Sequence, residues 1–415
     1  MVEQPVLHHR EGVKSLIETI GLKGWMMDRI SLCATAAATA LFASNSFAQD
    51  SLETVSTSER GSLLIFPDIR AAWEGGEVVS DTLITLTNDA PSEVRVQFYI
   101  VLGTNCISYD NAFTLTADQP VQWQASSGRA LNPVELNPIL APLWSIDPSV
   151  LNPLGGGDIE ATLYVWATGI TNQPIKWNHL LGTATQVDYL NQTASEYAAS
   201  AFQVRTAGAS GTDVPGAADI ETGYGTLALD GESYSATPDS LLLNFQAPGD
   251  TLESIYSGGP YAVEAAGMEL VLQIPDFDLF YDAGYDRTVS LQIDIWNENE
   301  IKFEGTTNCF SCYSGLRLAN YPEENSFPLA ILGTDAGKAR INAMQDDHCS
   351  NSEDHALLGV LHTDLVYRRP GSGGSGPVLG LDRLSTPLTG VGSQPATVRY
   401  PLENGGILPE ELVGS

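Results

Sequence analysis

Of the five cysteines in the sequence, Cys33 falls in the leader predicted below, and the other four are the residues best placed for defined chemistry: Cys106, Cys309, Cys312 and Cys349. In an exported chain, which the leader described below predicts, an even number of cysteines favours disulfides, and four cysteines allow three connectivities. A Cys309–Cys312 bond would close a tiny loop and stabilise little, whereas bonds that close longer loops stabilise by roughly 3–5 kcal/mol each. We therefore expect Cys106–Cys312 with Cys309–Cys349, and the other connectivities stay open.

The main alternative for the same residues is a zinc site. Cys309-x2-Cys312, His348 and Cys349 together supply three sulfurs and an imidazole, which is the ligand set of a closed tetrahedral zinc site. The stretch between Cys312 and His348 exceeds the usual finger spacing, and export favours oxidised thiols. A thioredoxin-like redox function of the CxxC lacks a βαβ context. Zinc is therefore disfavoured as a cofactor.

A carboxylate-rich loop is the candidate calcium site. It contains Asp276, Asp278, Asp282 and Asp286 between apolar runs. Carboxylate oxygens are the hard ligands that calcium prefers, but the loop lacks the residue order of an EF-hand. Calcium binding and an ordinary acidic turn both stay open here.

Several tryptophans are candidates for binding a carbohydrate or another polymer. Trp144 lies in a proline-rich loop, and Trp177 is followed by Asn178 and His179. An exposed aromatic ring beside amide groups can stack on a sugar, because it presents both an apolar face and polar partners. Trp166 and Trp296 end alternating apolar runs, so we expect these two side chains to pack in the core.

Three histidines, His348, His355 and His362, follow one another at intervals of seven residues. On a helix they would share one face and could bind a transition metal. The sequence Cys349-Ser350-Asn351-Ser352 resembles a turn, which would break that register. We therefore expect solvated loop histidines.

Motifs of known enzyme classes are absent from the sequence: there is no GxSxG, no HExxH and no P-loop. The paired carboxylates of a glycosidase have no sequence signature, because any two acidic residues can meet in the fold. A secreted hydrolase is therefore an alternative without assigned catalytic residues.

A secretory leader is predicted between Met26 and Gln49. An arginine precedes an apolar run from about Leu32 to Ala43, which is followed by Ser46-Phe47-Ala48, an A-x-A-like cleavage pattern. The run is shorter than the ~20 residues that span a bilayer. We expect a start at Met26 or Met27, cleavage before Gln49, and a bacterial protein that is secreted, periplasmic or attached to the cell surface, without membrane insertion after cleavage.

The charge of the chain limits its partners. The sequence has 51 acidic and 19 basic residues, for a net charge of −32. Such a surface repels phosphate backbones, so nucleic acid is excluded as an expected partner. An extracellular polysaccharide or surface proteins are the partners that we expect.

Strand patterns dominate the sequence. Residues 81–88 and 93–101 alternate around an Asp-Ala-Pro-Ser turn, and residues 288–296 and 301–304 alternate around a polar loop, so both pairs predict β-hairpins. Alanines favour a helix at Thr193–Val204. We expect an all-β, mainly antiparallel fold of two β-sandwich halves in the immunoglobulin-like style, with little helix.

The predicted organisation divides the chain by composition. In order, we expect residues 1–25 to be a start-site artefact, 26–48 a signal peptide, 49–60 a linker, 61–205 the N-terminal sandwich, 206–217 a linker, 218–370 the C-terminal sandwich, and 371–415 a Gly/Ser/Pro-rich tail that wraps the surface.

These features together predict an exported acidic β-sandwich protein that is a non-enzymatic structural or adhesive component outside the cell. The first alternative is a carbohydrate- or calcium-binding module, and the second is a secreted hydrolase.

Overall fold

The fold is known from a computed structural model. It describes residues 55–57, 59–103, 105–130, 158–169, 173–205, 218–219, 224–246, 251–252, 262–279, 288–318, 332–334, 336–344, 349, 356–368 and 378–401.

Ten strands come from the N-terminal part of the described chain. They are β1 (Leu63–Glu74), β2 (Glu77–Asn88), β3 (Val94–Leu102), β4 (Ser108–Leu115), β5 (Gln119–Gln124), β6 (Arg129–Ala130), β7 (Ile159–Thr168), β8 (Leu180–Asp188), β9 (Thr193–Ala198) and β10 (Ser200–Phe202).

The remaining strands come from the C-terminal part. They are β11 (Ala218–Asp219), β12 (Tyr224–Leu229), β13 (Ser240–Gln246), β14 (Thr251–Leu252), β15 (Ala262–Gln273), β16 (Phe277–Asp278), β17 (Thr288–Asn297), β18 (Lys302–Ser311), β19 (Tyr313–Arg317), β20 (Ala336–Met344), β21 (Leu358–Arg368), β22 (Val378–Pro387), β23 (Thr389–Val391) and β24 (Ala396–Pro401).

The first hydrophobic core lies among the N-terminal strands. Strands pair in the order β4-β3-β7-β1-β2-β5-β6, with β8 and β9 beside β2 and with β10 on β1. Phe66, Phe98 and Val165 from β1, β3 and β7 pack with Ile84 from β2 and Trp123 from β5. Alternate residues of each strand fill this core, as the period of two requires.

The second core lies between two five-stranded sheets. One sheet has the order β18-β17-β20-β13-β23, and the other pairs β14-β15-β21-β22 with β19 on β15. Leu243, Ile293 and Ile341 of the first sheet pack with Leu270 and Leu361 of the second. Apolar faces packed from two sheets fit the predicted sandwich style.

A third core joins strands from both parts of the chain. Leu63 and Trp166, on the opposite face of β1 and β7 from the first core, pack with Val271, Leu358 and Val398. β1 and β7 are therefore buried on both faces, which explains their nearly continuous apolar sequences.

The structure confirms the predicted all-β fold. The described residues contain no regular helix, and their strand pairs are antiparallel except for β16 with β24. The expected hairpin of residues 288–304 is confirmed, since β17 pairs with β18 from Trp296–Lys302 to Thr288–Ser311. The predicted linker 206–217 lies outside the described residues, so the division into two halves stays a prediction.

Both expected disulfides are present. Cys106 is bonded to Cys312 across a sequence separation of 206, and Cys309 is bonded to Cys349 across 40. The four sulfurs are thus joined in pairs and are not thiolate ligands. His348, the fourth ligand of the zinc alternative, lies outside the described residues.

The predicted hairpin of residues 81–101 is wrong. Both strands exist, but β2 pairs with β1, β5 and β8, whereas β3 pairs with β4 and β7. The turn after Asn88 therefore carries the chain to a different set of strands. Alternation identifies strands but does not specify which strand pairs with which, and that choice is made by the core.

The helix predicted at Thr193–Val204 is also wrong. These residues form β9 and β10, and Ser195, Tyr197 and Phe202 are buried. Alanine propensity is a weak local preference that pairing with β8 and β1 overrides.

The segment 371–415 is not simply a surface tail. It contributes β22, β23 and β24, and β24 lies between β12 and β16 with Val398 and Tyr400 buried. Gly380 and Gly390 lie within β22 and β23, and β22 and β24 end at Pro387 and Pro401, so glycine and proline do not prevent strands here.

We expect the Cys106–Cys312 bond to stabilise the native state more than Cys309–Cys349. Each bond constrains the unfolded chain, and the longer loop loses more entropy, so replacing Cys106 and Cys312 by serine should cost roughly 4–5 kcal/mol. Guanidinium denaturation of the oxidised protein measures this loss. The matched control is the Cys309→Ser/Cys349→Ser variant, and an equal or larger loss in the control would contradict the prediction.

Candidate functional site

The polar centre of the molecule lies on β1, where the pairing of the strand is interrupted. Pro67 has no N–H to donate to a ladder, and the register of β1 against β7 shifts between Phe66 and Ile69. A bulge of this kind re-aims the side chains next to it. Asp68 follows Pro67 and is fully buried.

A connected set of hydrogen-bonded side chains, the Asp68 network, surrounds this carboxylate. Its members come from β1, β8, β9, β15, β19, β21 and β22, and they are Asp68, Arg70, Gln186, Ser195, Tyr197, Glu269, Tyr313, His362 and Ser385.

Each oxygen of the Asp68 carboxylate has two partners. Oδ1 accepts hydrogen bonds from Arg70 Nε at 2.7 Å and Tyr313 OH at 2.8 Å. Oδ2 accepts one from Gln186 Nε2 at 2.6 Å and lies 2.7 Å from His362 Nε2. A buried carboxylate is tolerated only when it is paired and hydrogen-bonded in this way.

The backbone of Asp68 is satisfied by Tyr197. The Asp68 N–H donates to Tyr197 OH at 3.1 Å, and the same hydroxyl donates to the Asp68 carbonyl. The phenol of β9 therefore replaces the ladder partners that the bulge removes, as buried backbone groups require.

Strand register explains why the outer members of the network meet. His362 on β21 lies opposite Glu269 on β15 and opposite Ser385 on β22. Gln186 on β8 lies opposite Ser195 on β9. Directly opposed residues share one face of a sheet. Glu269, His362 and Ser385 therefore lie side by side, as do Gln186 and Ser195. A hydrogen bond from Ser385 Oγ to Ser195 Oγ, at 2.7 Å, joins the two sets.

The electrostatics of the network favour the ionised carboxylate. Burial raises the pKa of Asp68, but the charge of Arg70 and the hydrogen bond and charge of His362 outweigh burial and hold the pKa far below its usual range. Arg70 also binds Glu269 Oε2 through Nη1 at 2.7 Å. Burial and then the Asp68 charge raise the pKa of Tyr197 and Tyr313 well above normal, so both remain donors.

Ser385, His362 and Asp68 are hydrogen-bonded in series and have the residue types of a catalytic triad. Ser385 Oγ lies 2.7 Å from His362 Nδ1, and His362 Nε2 lies 2.7 Å from Asp68 Oδ2. The order of ring nitrogens is the reverse of the serine protease arrangement, in which the serine faces Nε2. Ser385 is half-buried, while the His362 side chain is 0 % exposed.

Surface depressions elsewhere in the described residues do not include Ser385 in their lining. Two of these depressions have volumes of about 440 and 360 Å³. The first is lined by residues such as Glu59 and Gln203, and the second by residues such as Gln292 and Arg340. Neither depression reaches Ser385, so neither would hold a substrate against its hydroxyl.

The expectation of solvated loop histidines is wrong for His362. It is buried on β21 because Asp68 and Ser385 satisfy both of its ring nitrogens. His348 and His355 lie outside the described residues. The available sequence signal was a single carboxylate in the apolar run Leu63–Ile69, since a buried charge is rare without a partner.

The predicted ligand site around Trp177 is half-buried in the structure. Trp177 Nε1 donates to Asn88 Oδ1 at 3.0 Å, and Asn178 Oδ1 accepts from Ser62 Oγ at 2.6 Å. His179 is exposed and lies 3.0 Å from Asp89 through Nδ1. Polymer binding at this site stays a prediction, and Trp144 lies outside the described residues.

Two of the four predicted calcium ligands are described. Asp276 Oδ1 accepts from the Thr397 N–H at 3.2 Å, and Asp278 Oδ2 is paired with Arg399 at 3.0 Å. Asp282 and Asp286 lie outside the described residues, so calcium binding stays a prediction. Among the described side chains, no group of three His, Cys, Asp or Glu is placed to hold a metal ion.

The described part of the chain contains no helix that is long and apolar enough to cross a membrane.

Comparison with known proteins establishes no family. No family model matches the sequence, and no curated protein matches it. A Thermotoga maritima structure aligns at 8 % identity over 39 % of this chain and 99 % of its own, with a TM-score of 0.22.

Two further structures align equally weakly. A protein described as secreted, from Parabacteroides distasonis, aligns at 12 % identity over 78 % of this chain and 94 % of its own, with a TM-score of 0.14. The BSP domain of a biofilm-associated protein aligns at 8 % identity over 83 % of this chain and 61 % of its own, with a TM-score of 0.15. No property of these proteins is transferred to this chain.

The lowered pKa of Asp68 predicts sensitivity to acid. The folded carboxyl stays ionised where the unfolded one, with a pKa near 3.9, binds a proton. The stabilisation by Asp68 is therefore fully present above about pH 5 and is lost progressively as the pH falls below that value. Urea denaturation between neutral and acidic pH measures the slope, which should be shallower in Asp68→Asn than in the wild type.

The control for this experiment is Asp364→Asn, because the Asp364 side chain is 46 % exposed and pairs with Arg383 on the surface. It should keep the wild-type slope. If Asp68→Asn does not fold, Tyr313→Phe removes one donor and should reduce the slope in part. A wild-type slope in both network variants would show that Asp68 is not the titrating group.

Proposed function

We propose that this chain is an exported, non-enzymatic structural or adhesive component of a bacterial cell surface or extracellular matrix. The observation that carries the proposal is the covalent and polar cross-linking of the fold. The Cys106–Cys312 bond joins residues 206 apart, and the Asp68 network joins β1, β8 and β9 to β15, β19, β21 and β22. A disulfide of this kind suits an oxidising compartment.

The predicted leader and the strong acidity support the same proposal. A net charge of −32 keeps an exported protein soluble and discourages binding to nucleic acid. Buried ionic groups add little net stability compared with an apolar core, but they penalise alternative packings of the strands. A durable scaffold benefits from that specificity.

Fractionation of the native host tests this function. We expect the mature chain to begin near Gln49 and to be recovered outside the cytoplasm with both disulfides formed. Deletion of the gene should weaken surface attachment, and a copy encoding the full chain should restore it. Recovery of the chain from the cytoplasm with reduced cysteines would contradict the proposal, as would a deletion strain with unchanged attachment.

A secreted hydrolase is the second candidate, because Ser385, His362 and Asp68 are hydrogen-bonded in series. A catalytic serine of this type needs an accessible hydroxyl, a free general base and donors for the developing oxyanion. Ser385 instead donates to Ser195, and its base is enclosed between strands. We therefore assign a structural role to Ser385, His362 and Asp68.

Covalent labelling separates the two candidates. We expect the native protein to show no labelling of Ser385 by a fluorophosphonate probe above the level of the Ser385→Ala variant. That variant should also lose about 1–3 kcal/mol of stability, because a buried nitrogen of His362 is left without its partner. Stoichiometric labelling of Ser385 that disappears in His362→Gln would establish a reactive serine and would overturn the non-enzymatic function.

A further inference from the structure

One face of the sheet β18-β17-β20-β13-β23 carries exposed lysine and arginine side chains beside a half-buried tryptophan and polar residues. Trp296 on β17 lies opposite Lys302 on β18 and opposite Lys338 on β20. Two residues along, Asp294 lies opposite Arg340, and two further along, Gln292 lies opposite Asn342. Alternate residues of a strand share a face. We call this surface the Trp296 face.

The Trp296 face extends onto β13. Asn244 lies opposite Lys338 and is exposed, and Leu242 lies opposite Arg340. The 360 Å³ depression described above lies on the same face, with Gln292, Arg340 and Asn342 in its lining and Asp239 and Gln394 at its β13 end. Successive rows are spaced by about 7 Å along the strands.

The Trp296 face is cationic on a strongly acidic protein. The whole sequence has five lysines, and two of them, Lys302 and Lys338, lie on either side of Trp296. The side chains of Lys302 and Arg340 are 53 % and 49 % exposed, and both lie within ion-pair distance of the buried Asp294. Asp294 is thus shared by two cations, and Lys338 adds a third cation, while Asp239 at the β13 end of the depression is a second carboxylate. The face therefore carries three cations and two carboxylates.

Protection of a sheet edge accounts for Lys302, which lies on the edge strand β18, but not for Lys338 and Arg340. Lysines are often placed on edge strands, where they prevent pairing with another chain. Lys338 and Arg340 lie on β20, which is the central strand of the five. Arg340 lies within ion-pair distance of Asp294, and an anionic ligand would use Lys338 and Arg340 together with the neighbouring side chains.

Trp296 and the amides indicate what kind of anion fits. Trp166 is in the core as predicted, but the expectation that Trp296 packs in the core is wrong. Trp296 is half-buried on this face, with Lys302 Nζ 5.4 Å from the centre of its ring. A tryptophan ring offers an apolar surface beside its polar edge, and Gln292, Asn342 and Asn244 offer amide donors and acceptors. Sugar rings have apolar faces and hydroxyl edges, so they can use both.

We propose that the Trp296 face binds an acidic polysaccharide, with uronate carboxylates on Lys338 and Arg340 and a sugar ring against Trp296. The net charge of −32 repels polyanions at long range. At physiological ionic strength, charges beyond about 8 Å are screened, so the local cations decide the contact. This inference deepens the proposed function, because it names the surface through which an adhesive component would hold a matrix polymer.

The test is binding of the oxidised full chain to immobilised alginate, with neutral dextran as the comparison polymer. We expect binding to alginate, little binding to dextran, and weakening by added salt. The Lys338→Gln/Arg340→Gln variant should lose about tenfold or more in affinity, since each exchange removes a charge-assisted hydrogen bond. Trp296→Ala should lose a comparable factor, while the circular dichroism spectrum is retained.

The matched control is Arg317→Gln, which removes an exposed arginine from β19 in the other sheet. It should bind alginate like the wild type. Equal binding to dextran, equal loss in Arg317→Gln, or unchanged binding in the double variant would overturn the proposal. Self-association that the double variant abolishes, without alginate binding, would assign the face to a second copy of the chain and would also overturn it.

The two proposals can fail separately. Export and attachment are read from the fractionated host without reference to alginate. If the chain is found outside the cell and the Lys338→Gln/Arg340→Gln variant still binds alginate, only the proposed binding at the Trp296 face is wrong. A chain retained in the cytoplasm overturns the proposed function, whatever the purified protein binds.

Discussion

The buried carboxylate of Asp68 is the constraint on which the arrangement of the strands depends. A fully buried charge is stable only if every strand that supplies a partner reaches it at the correct register. Arg70 comes from the same strand, Gln186 from β8, Tyr313 from β19 and His362 from β21. A displacement of any of these strands by one residue would turn its donor away and leave the charge uncompensated.

The disulfide Cys106–Cys312 contributes to the same constraint. Cys312 directly precedes Tyr313, and the bond ties it to the segment that follows β3. The ring of Tyr313 packs onto Gly103, where an added Cβ would lie 2.7 Å from Tyr313 Cδ1. Any side chain at position 103 would therefore push the phenol away from Asp68. The position of Tyr313 is therefore fixed by three features together: the disulfide at Cys312, the close approach of Gly103 and the hydrogen bond to Asp68.

Local patterns in the sequence predicted the strands, because alternation is a property of neighbouring residues, and the β17–β18 hairpin is confirmed for that reason. Both expected disulfides are also confirmed, but loop length argued only against the Cys309–Cys312 bond and did not decide between the other two connectivities. Strand order was not predictable in the same way, since β2 and β3 are adjacent in sequence but pair with different partners. The Asp68 network was missed because His362 lies 294 residues from Asp68. The one local signal, a carboxylate within an apolar run, does not identify its partner.

The resemblance of Ser385, His362 and Asp68 to a catalytic triad has a structural cause that requires no catalysis. A buried histidine needs partners for both ring nitrogens, and a carboxylate and a hydroxyl are common partners for them. Any well-satisfied buried histidine between an aspartate and a serine will therefore reproduce the distances of a triad. What distinguishes catalysis is access for a substrate and preorganised donors for the oxyanion. In this fold His362 lies between packed strands, where it pairs with the buried carboxylate of Asp68.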